Sequence, residues 1–262
     1  MEISIQEYID RAVEFAHKGG EVTLKYFHRD IDIDFKSDRT PVTRADREAE
    51  QVIRDLVVKY YPDHGILGEE FGRHNSDSRF QWIIDPIDGT LSYIHGVPLY
   101  TTLVALVYDS EPVVGAIFAP ATDELCVAGM GHGAWFNSVK CRVSDTQRLE
   151  DATLLTTDYR DINQHGFGEN FDELMQKVYL TRSWGDAYGH MLVAAGRADI
   201  MFDPILNIWD AAALMPVVTE AGGSFTDVRG RAIIDGGSAI SCTPKLVEQL
   251  KPFLFRDQNK TN

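Results

Sequence analysis

A chain of 262 residues, 44% of them hydrophobic and 25% charged, is long enough to bury a sizeable core and too apolar for global disorder. No apolar run approaches the roughly 20 residues that span a bilayer, and the acidic start MEISIQEYID reads as a helix rather than a signal peptide, so a cytoplasmic location is expected and a membrane partner is not. With 25 basic against 40 acidic side chains the formal charge is −15, which excludes the basic stripe of a nucleic-acid binder.

Ser4 and Glu7 have the spacing of a capping box, with Ser4 as N-cap and Glu7 reaching back. Ile9, Val13, Phe15, Ala16, Val22, Leu24 and Phe27 follow at roughly helical period. A second helix is predicted over 44–60, with Ala49, Val52, Ile53, Leu56 and Val57 on one face and Pro62 beyond its end. The pattern then turns to strands: 80–84, 101–108, 113–118, 125–128 and 134–136 are short apolar or alternating runs between turn residues, and they predict a mostly antiparallel sheet. After about residue 150, strands at 153–157, 200–202 and 239–242 alternate with helices at 170–178, 186–195, 210–221 and 243–253. Gly196 and Gly222-Gly223 stand where two of these helices close. An α+β fold with helices layered on sheets follows, divided softly into halves 1–145 and 146–262. The tail after residue 255 is expected to be disordered. Cys126, Cys141 and Cys242 are far apart and form no C-x-x-C, which suits a reducing compartment and gives neither a disulfide framework nor a thiolate metal site.

The densest chemistry lies in Trp82-Ile83-Ile84-Asp85-Pro86-Ile87-Asp88-Gly89-Thr90. An apolar strand ends in two aspartates three apart, and Pro86 stiffens the turn between them. Asp85, Asp88 and the Ile87 carbonyl can then converge as hard oxygen ligands suited to Mg²⁺. If Gly89 and Thr90 open a helix, their N–H groups face a phosphate. The same residues can equally be a surface turn. Glu69-Glu70 reads alone as a solvated acidic loop, and Thr43, Asp46 and Asp210 read alone as ordinary helix caps.

Taken in order, Gly68-Glu69-Glu70, Asp85-Pro86-Ile87-Asp88-Gly89-Thr90 and the run from Trp209 to Gly223 resemble the signatures of the inositol monophosphatase family. Residues 41–46 and 133–137 fit as well, so the resemblance spans nearly the whole chain. It implies a layered αβαβα sandwich, usually a homodimer, that hydrolyses small phosphate monoesters with two or three Mg²⁺ ions. It assigns Glu69, Asp85 and the Ile87 carbonyl to a first ion and Asp85, Asp88 and Asp210 to a second. A looser third would lie near Glu69 and Asp46. Glu69 and Thr90 would orient and deprotonate the attacking water, with Asp88, Gly89 and Thr90 around the phosphate. Such ions would also reconcile a charge of −15 with an anionic substrate.

Within the family the substrate half is read by residues before Asp210. Asp203 falls where inositol phosphatases place a glutamate that contacts sugar-like hydroxyls, and Asp186 where they carry a small neutral residue. Two carboxylates there favour a cation over a neutral polyol, so the chain is similar to the histidinol-phosphatase branch, with Asn207 beside the pocket. A helix N-cap is the other reading of Asp186, and His190 and Tyr188 read as packed helix residues. The alternatives are an inositol-1-phosphatase or broad sugar-phosphate phosphatase and, in another class, a non-catalytic metal-binding regulator.

Overall fold

The apolar period of the first segment becomes helix α1 (Ile5–Tyr26), which buries Ile9, Ala12, Phe15, Ala16 and Val22 along one face. The computed structural model describes residues 4–29, 32–36 and 40–256, so most of the tail expected to be disordered lies outside the described residues. Ser4 does sit at the N-cap, but its side chain makes no cap bond. Its backbone lies outside the extended region at ψ 88°, and Glu7 instead accepts the Tyr61 hydroxyl at 3.0 Å, so the expected capping box is not formed.

Strands β1 (Ile33–Phe35) and β2 (Pro41–Thr43) pair antiparallel and lead into α2 (Arg44–Tyr60). Here a capping box does form, between Thr43 and Asp46. Next come β3 (Gly65–Gly68), β4 (Gly72–His74), β5 (Phe80–Asp88), α3 (Thr90–Ile94), β6 (Thr101–Tyr108), β7 (Glu111–Ala119), β8 (Glu124–Gly129), β9 (Gly133–Phe136) and β10 (Val139–Cys141). They build an eight-stranded sheet in the order β10-β9-β8-β7-β6-β5-β3-β4, antiparallel except where β3 runs parallel to β5. The short hairpin β3–β4 shows no periodic signal, because Gly65–Gly68 and Gly72–His74 are too short for a period of two to emerge.

The second half contains β11 (Thr153–Thr156), α4 (Tyr159–Gln164), α5 (Gly168–Met175), β12 (Leu180–Arg182), α6 (Asp186–Ala194), β13 (Ile200–Asp203), α7 (Ile208–Glu220), β14 (Ser224–Thr226), β15 (Ala239–Cys242) and α8 (Val247–Leu254). Its five strands lie in the order β12-β11-β13-β15-β14. Alternation along the strands separates the layers. Trp82, Ile84 and Val104 face Phe15 of α1 and Ile53 of α2, whereas Ile83, Leu103 and Ala105 face Met191 of α6 and Leu214 of α7. On the smaller sheet Leu155 and Met201 join that same central layer, while Leu154, Ile200 and Phe202 pack against Phe171 of α5 and Leu250 of α8. The result is five layers, α1/α2, sheet, α6/α7, sheet and α4/α5/α8, which is the αβαβα sandwich expected. Among the described residues no helix is long and apolar enough to cross a membrane.

Helix α7 crosses the large sheet closest at β7, where Gly115 leaves room for the helix backbone. A Cβ on Gly115 would lie 2.3 Å from the Ala213 carbonyl oxygen. Gly115→Ala should therefore push α7 off the sheet and cost about 1–3 kcal/mol, the usual range for overpacking, read as a lower midpoint in urea unfolding.

Candidate metal centre

The end of β5 is built to turn two carboxylates toward one place. Asp85 pairs with Leu103 and Asp88 with Thr101, so three steps on β5 oppose two on β6 and the strand bulges between them. The Ile87 N–H donates to Asp85 Oδ1 at 3.0 Å, and the Thr102 hydroxyl donates to the Pro86 carbonyl at 2.9 Å. Gly89 then adopts φ 79°, a left-handed turn that glycine enters without penalty, and α3 starts at Thr90. The third carboxylate arrives from the central layer. Asp210 lies in the first turn of α7 and accepts the Asn207 N–H at 2.7 Å, so it caps its helix and reaches the strand end at once. One oxygen from each of Asp85, Asp88 and Asp210 lies within 4.8 Å of the others.

Burial and mutual repulsion raise the pKa of all three. Asp85 stands well above the ordinary carboxylate range because it is buried and faces Glu69, Asp88 and Asp210. Asp88 is raised by burial and by the charges of Asp186 and Asp210, against the stabilising Ala187 N–H bond at 2.7 Å. Burial lifts Asp210 to about 6. Oxygen-only donors, crowded and reluctant to ionise together, match the needs of a hard divalent cation. The residues present fit one.

Around this cluster lies a cleft of about 380 Å³ whose walls include Glu69, Asp85, Ile87, Asp88, Gly89, Thr90, Asp186, Asn207 and Asp210. A larger hollow of about 600 Å³, between Leu67, Arg79, Met215 and Ile234, contains none of these side chains. Charge, not size, marks the chemical site. Glu69 follows β3 and donates its N–H to the Ile84 carbonyl at 3.2 Å. Lys36 Nζ lies 2.7 Å from both Glu69 Oε1 and Glu70 Oε1. Burial opposes its charge, but those two bonds hold its pKa above the ordinary lysine value. Sequence reading missed Lys36, which belongs to no motif and meets the glutamates only through folding. The Thr90 hydroxyl donates to the Ile87 carbonyl at 3.0 Å.

Two of the sequence candidates do not line the cleft. Asp46 is buried beneath it, where it accepts the N–H and hydroxyl of Thr43, so its cap reading is realised. Burial raises its pKa to about 7, and the charges of Glu70 and Glu69 add to this. Asp203, expected at the substrate, is also buried, with its Oδ2 3.2 Å from His190 Nε2. His190 Nδ1 meets Ser241 Oγ at 2.6 Å, so a proton on Nε2 satisfies all three groups. The buried histidine thus holds this carboxylate back from the opening.

Asp186 does reach the cleft. Gly185, not Asp186, occupies the N-cap of α6, and Asp186 takes φ 55°, unusual for a residue with a side chain. Its N–H donates to the Thr157 hydroxyl at 2.7 Å. Its Oδ2 lies over Gly89, 2.9 Å from where a Cβ there would be. Burial, then repulsion from Asp203 and Asp210, lifts its pKa to about 7.

Raised carboxylate pKa values bind extra protons in the folded state. The stability they contribute is complete below about pH 4, the unfolded carboxylate range, and is lost as pH rises through about 6 to 7 for Asp210 and Asp186. Protein stripped of divalent ions by EDTA should therefore melt at lower temperature at pH 7.5 than at pH 5, and added Mg²⁺ should restore more at the higher pH. A melting temperature that climbs with pH in EDTA would contradict this.

The model of the inositol monophosphatase family matches residues 4–258. A histidinol-phosphatase of Chlorobaculum parvum is 45% identical over 232 residues, 88% of this chain and 90% of its own. One of Mycobacterium tuberculosis is 38% identical over 91% of this chain and 94% of its own. Among solved structures, the extragenic suppressor protein SuhB of Bartonella henselae superposes with a TM-score of 0.89 at 32% identity, covering 97% of this chain and all of that one. A family match over nearly the full length, joined to a cleft walled by the family's acidic motifs, makes the chain a phosphatase that belongs to the inositol monophosphatase family.

Proposed function

We propose that this phosphatase hydrolyses histidinol phosphate with Mg²⁺ held by Asp85, Asp88, Asp210, Glu69 and the Ile87 carbonyl. The observation that carries the substrate choice is Asp186, a carboxylate in the wall of the cleft beside Gly89 and the metal cluster. A carboxylate there suits an ammonium or imidazole far better than a neutral polyol, since a charge-assisted hydrogen bond outweighs a neutral one. The high identity to proteins named histidinol-phosphatase supports the same choice.

When bound, the divalent ions polarise the phosphoryl group and acidify the attacking water. The chain's own groups then have distinct tasks. The Thr90 hydroxyl spends its proton on the Ile87 carbonyl, which leaves its lone pairs to orient a water. Glu69 lines the same cleft and takes the water's proton. Backbone N–H groups at Gly89 and Thr90, with Asp88 alongside, place the phosphate for in-line attack. Asp46 acts from behind the wall, through its negative field on Glu69 and Glu70. Asn207 and Asp186 meet the non-phosphate half, and Asp203 reaches it only if its bond to His190 opens. The assembly implied by the family resemblance is a homodimer, which light scattering at micromolar concentration checks.

Asp88→Asn should lower kcat by more than the ~10–100-fold that loss of a group behind a metal ligand costs, measured as phosphate release with Mg²⁺. Asp186→Ala should lower kcat/KM for histidinol phosphate by about 10–100-fold, the worth of one bond to a charged group, and change inositol 1-phosphate turnover far less. Wild-type enzyme that prefers inositol 1-phosphate or fructose 1,6-bisphosphate over histidinol phosphate would overturn the substrate assignment.

A further inference from the structure

The turn that delivers Glu69 rests on an ion pair that does not line the cleft. Glu50 of α2 has a fully buried side chain and Arg54, one helical turn on, is 11% exposed, with Nε 2.7 Å from Glu50 Oε1. Glu50 Oε2 accepts the Glu70 N–H at 2.7 Å and Oε1 accepts the Phe71 N–H at 3.2 Å. Arg54 Nη2 donates to the Gly72 carbonyl. The three residues that follow Glu69 are thus each tied to one carboxylate–guanidinium unit, while the Glu69 N–H itself is tied to β5. A Cβ on Gly68 would lie 2.0 Å from Glu50 Oε1. Glycine before Glu69 is therefore what lets the carboxylate come this close to the turn.

From this geometry we infer that Glu50 and Arg54 are positioning residues for Glu69, and that they set the affinity of the centre for its divalent cation. The inference rests on the metal reading above. A buried ion pair seldom adds net stability over packed apolar side chains of equal volume. What this one contributes is direction: two amide protons and one carbonyl of a tight turn are pinned, so the Glu69 carboxylate stands over the cleft before any cation arrives. Without Glu50 the amides of Glu70 and Phe71 lose their acceptor, the turn relaxes, and part of the cation's binding energy goes into ordering it again.

The test uses the full chain stripped of divalent ions. Glu50→Gln keeps the shape but turns an amide toward backbone N–H donors, Arg54→Lys keeps the charge but gives up the fork that spans Glu50 and the Gly72 carbonyl, and Gly68→Ala displaces the Glu50 carboxylate sterically. Calorimetric Mg²⁺ titration should show affinity falling about 10–100-fold in Glu50→Gln, the range for groups that orient a metal ligand, and falling in the other two as well. Hydrogen exchange at the Glu70 and Phe71 amides should quicken in the stripped protein. At saturating Mg²⁺, kcat should return toward wild type with KM for the phosphate ester unchanged. Folded Glu50→Gln that binds Mg²⁺ with wild-type affinity overturns the inference, as does a lost kcat at unchanged affinity. If Glu50→Gln does not fold, Arg54→Lys and Gly68→Ala with wild-type affinity overturn it instead. A wild-type chain that binds no Mg²⁺ sinks the metal reading itself, a different failure.

Discussion

Repulsion among buried carboxylates is the constraint around which this molecule is arranged. Asp85, Asp88 and Asp210 come from a strand end and a helix start that are more than a hundred residues apart in sequence, yet one oxygen of each falls within 4.8 Å of the others. Left to themselves in water these groups would separate. The fold prevents that by fixing Asp85 and Asp88 on the end of β5 and Asp210 on the start of α7, and the cost appears as pKa values raised by burial and by neighbouring charge. A divalent cation relieves the repulsion, so affinity for metal follows from the same force that raises these pKa values.

The architecture serves that convergence. Helix α7 lies in the layer shared by the two sheets, and its first turn reaches the end of β5 because Gly115 lets it settle onto β7. The Asp85–Asp88 bulge turns both side chains the same way at the moment the strand ends. Hydrogen bonds from Ile87, Ala187 and Asn207 hold the three carboxylates by their backbone-facing oxygens. Each element contributes an orientation that the others cannot supply.

On the substrate side the molecule separates two acids that the sequence offers as equivalents. Asp203 is bonded to the buried His190, whose other ring nitrogen meets Ser241. Asp186 is left in the cleft wall, held in a left-handed conformation beside Gly89. Strained backbone of this kind persists where its surroundings over-determine it, commonly at working sites. The charge that faces an incoming ligand is therefore set by which acid has found a buried partner.

Motif and period were enough to recover the layered α+β architecture, the main strands and helices, and the acidic residues of the cleft. Alternation along β5 and β6 dictates which face meets α1 and which meets α7, and Gly89 dictates the left-handed turn after Asp88, whereas the turn expected at Pro86 is a bulge within β5, which runs four residues past Ile84. Those are local rules, and local rules are written in consecutive residues. The capping box at Ser4 failed because Glu7 found Tyr61, more than fifty residues away. Lys36 at Glu69 and Glu50 beneath the Glu69 turn escaped notice for the same reason, and His190, rightly read as a packed helix residue, gave no sign that its partner would be Asp203. A side chain's partner across the fold depends on packing, and only the tertiary structure decides which polar groups are buried together and so which charges remain available for chemistry.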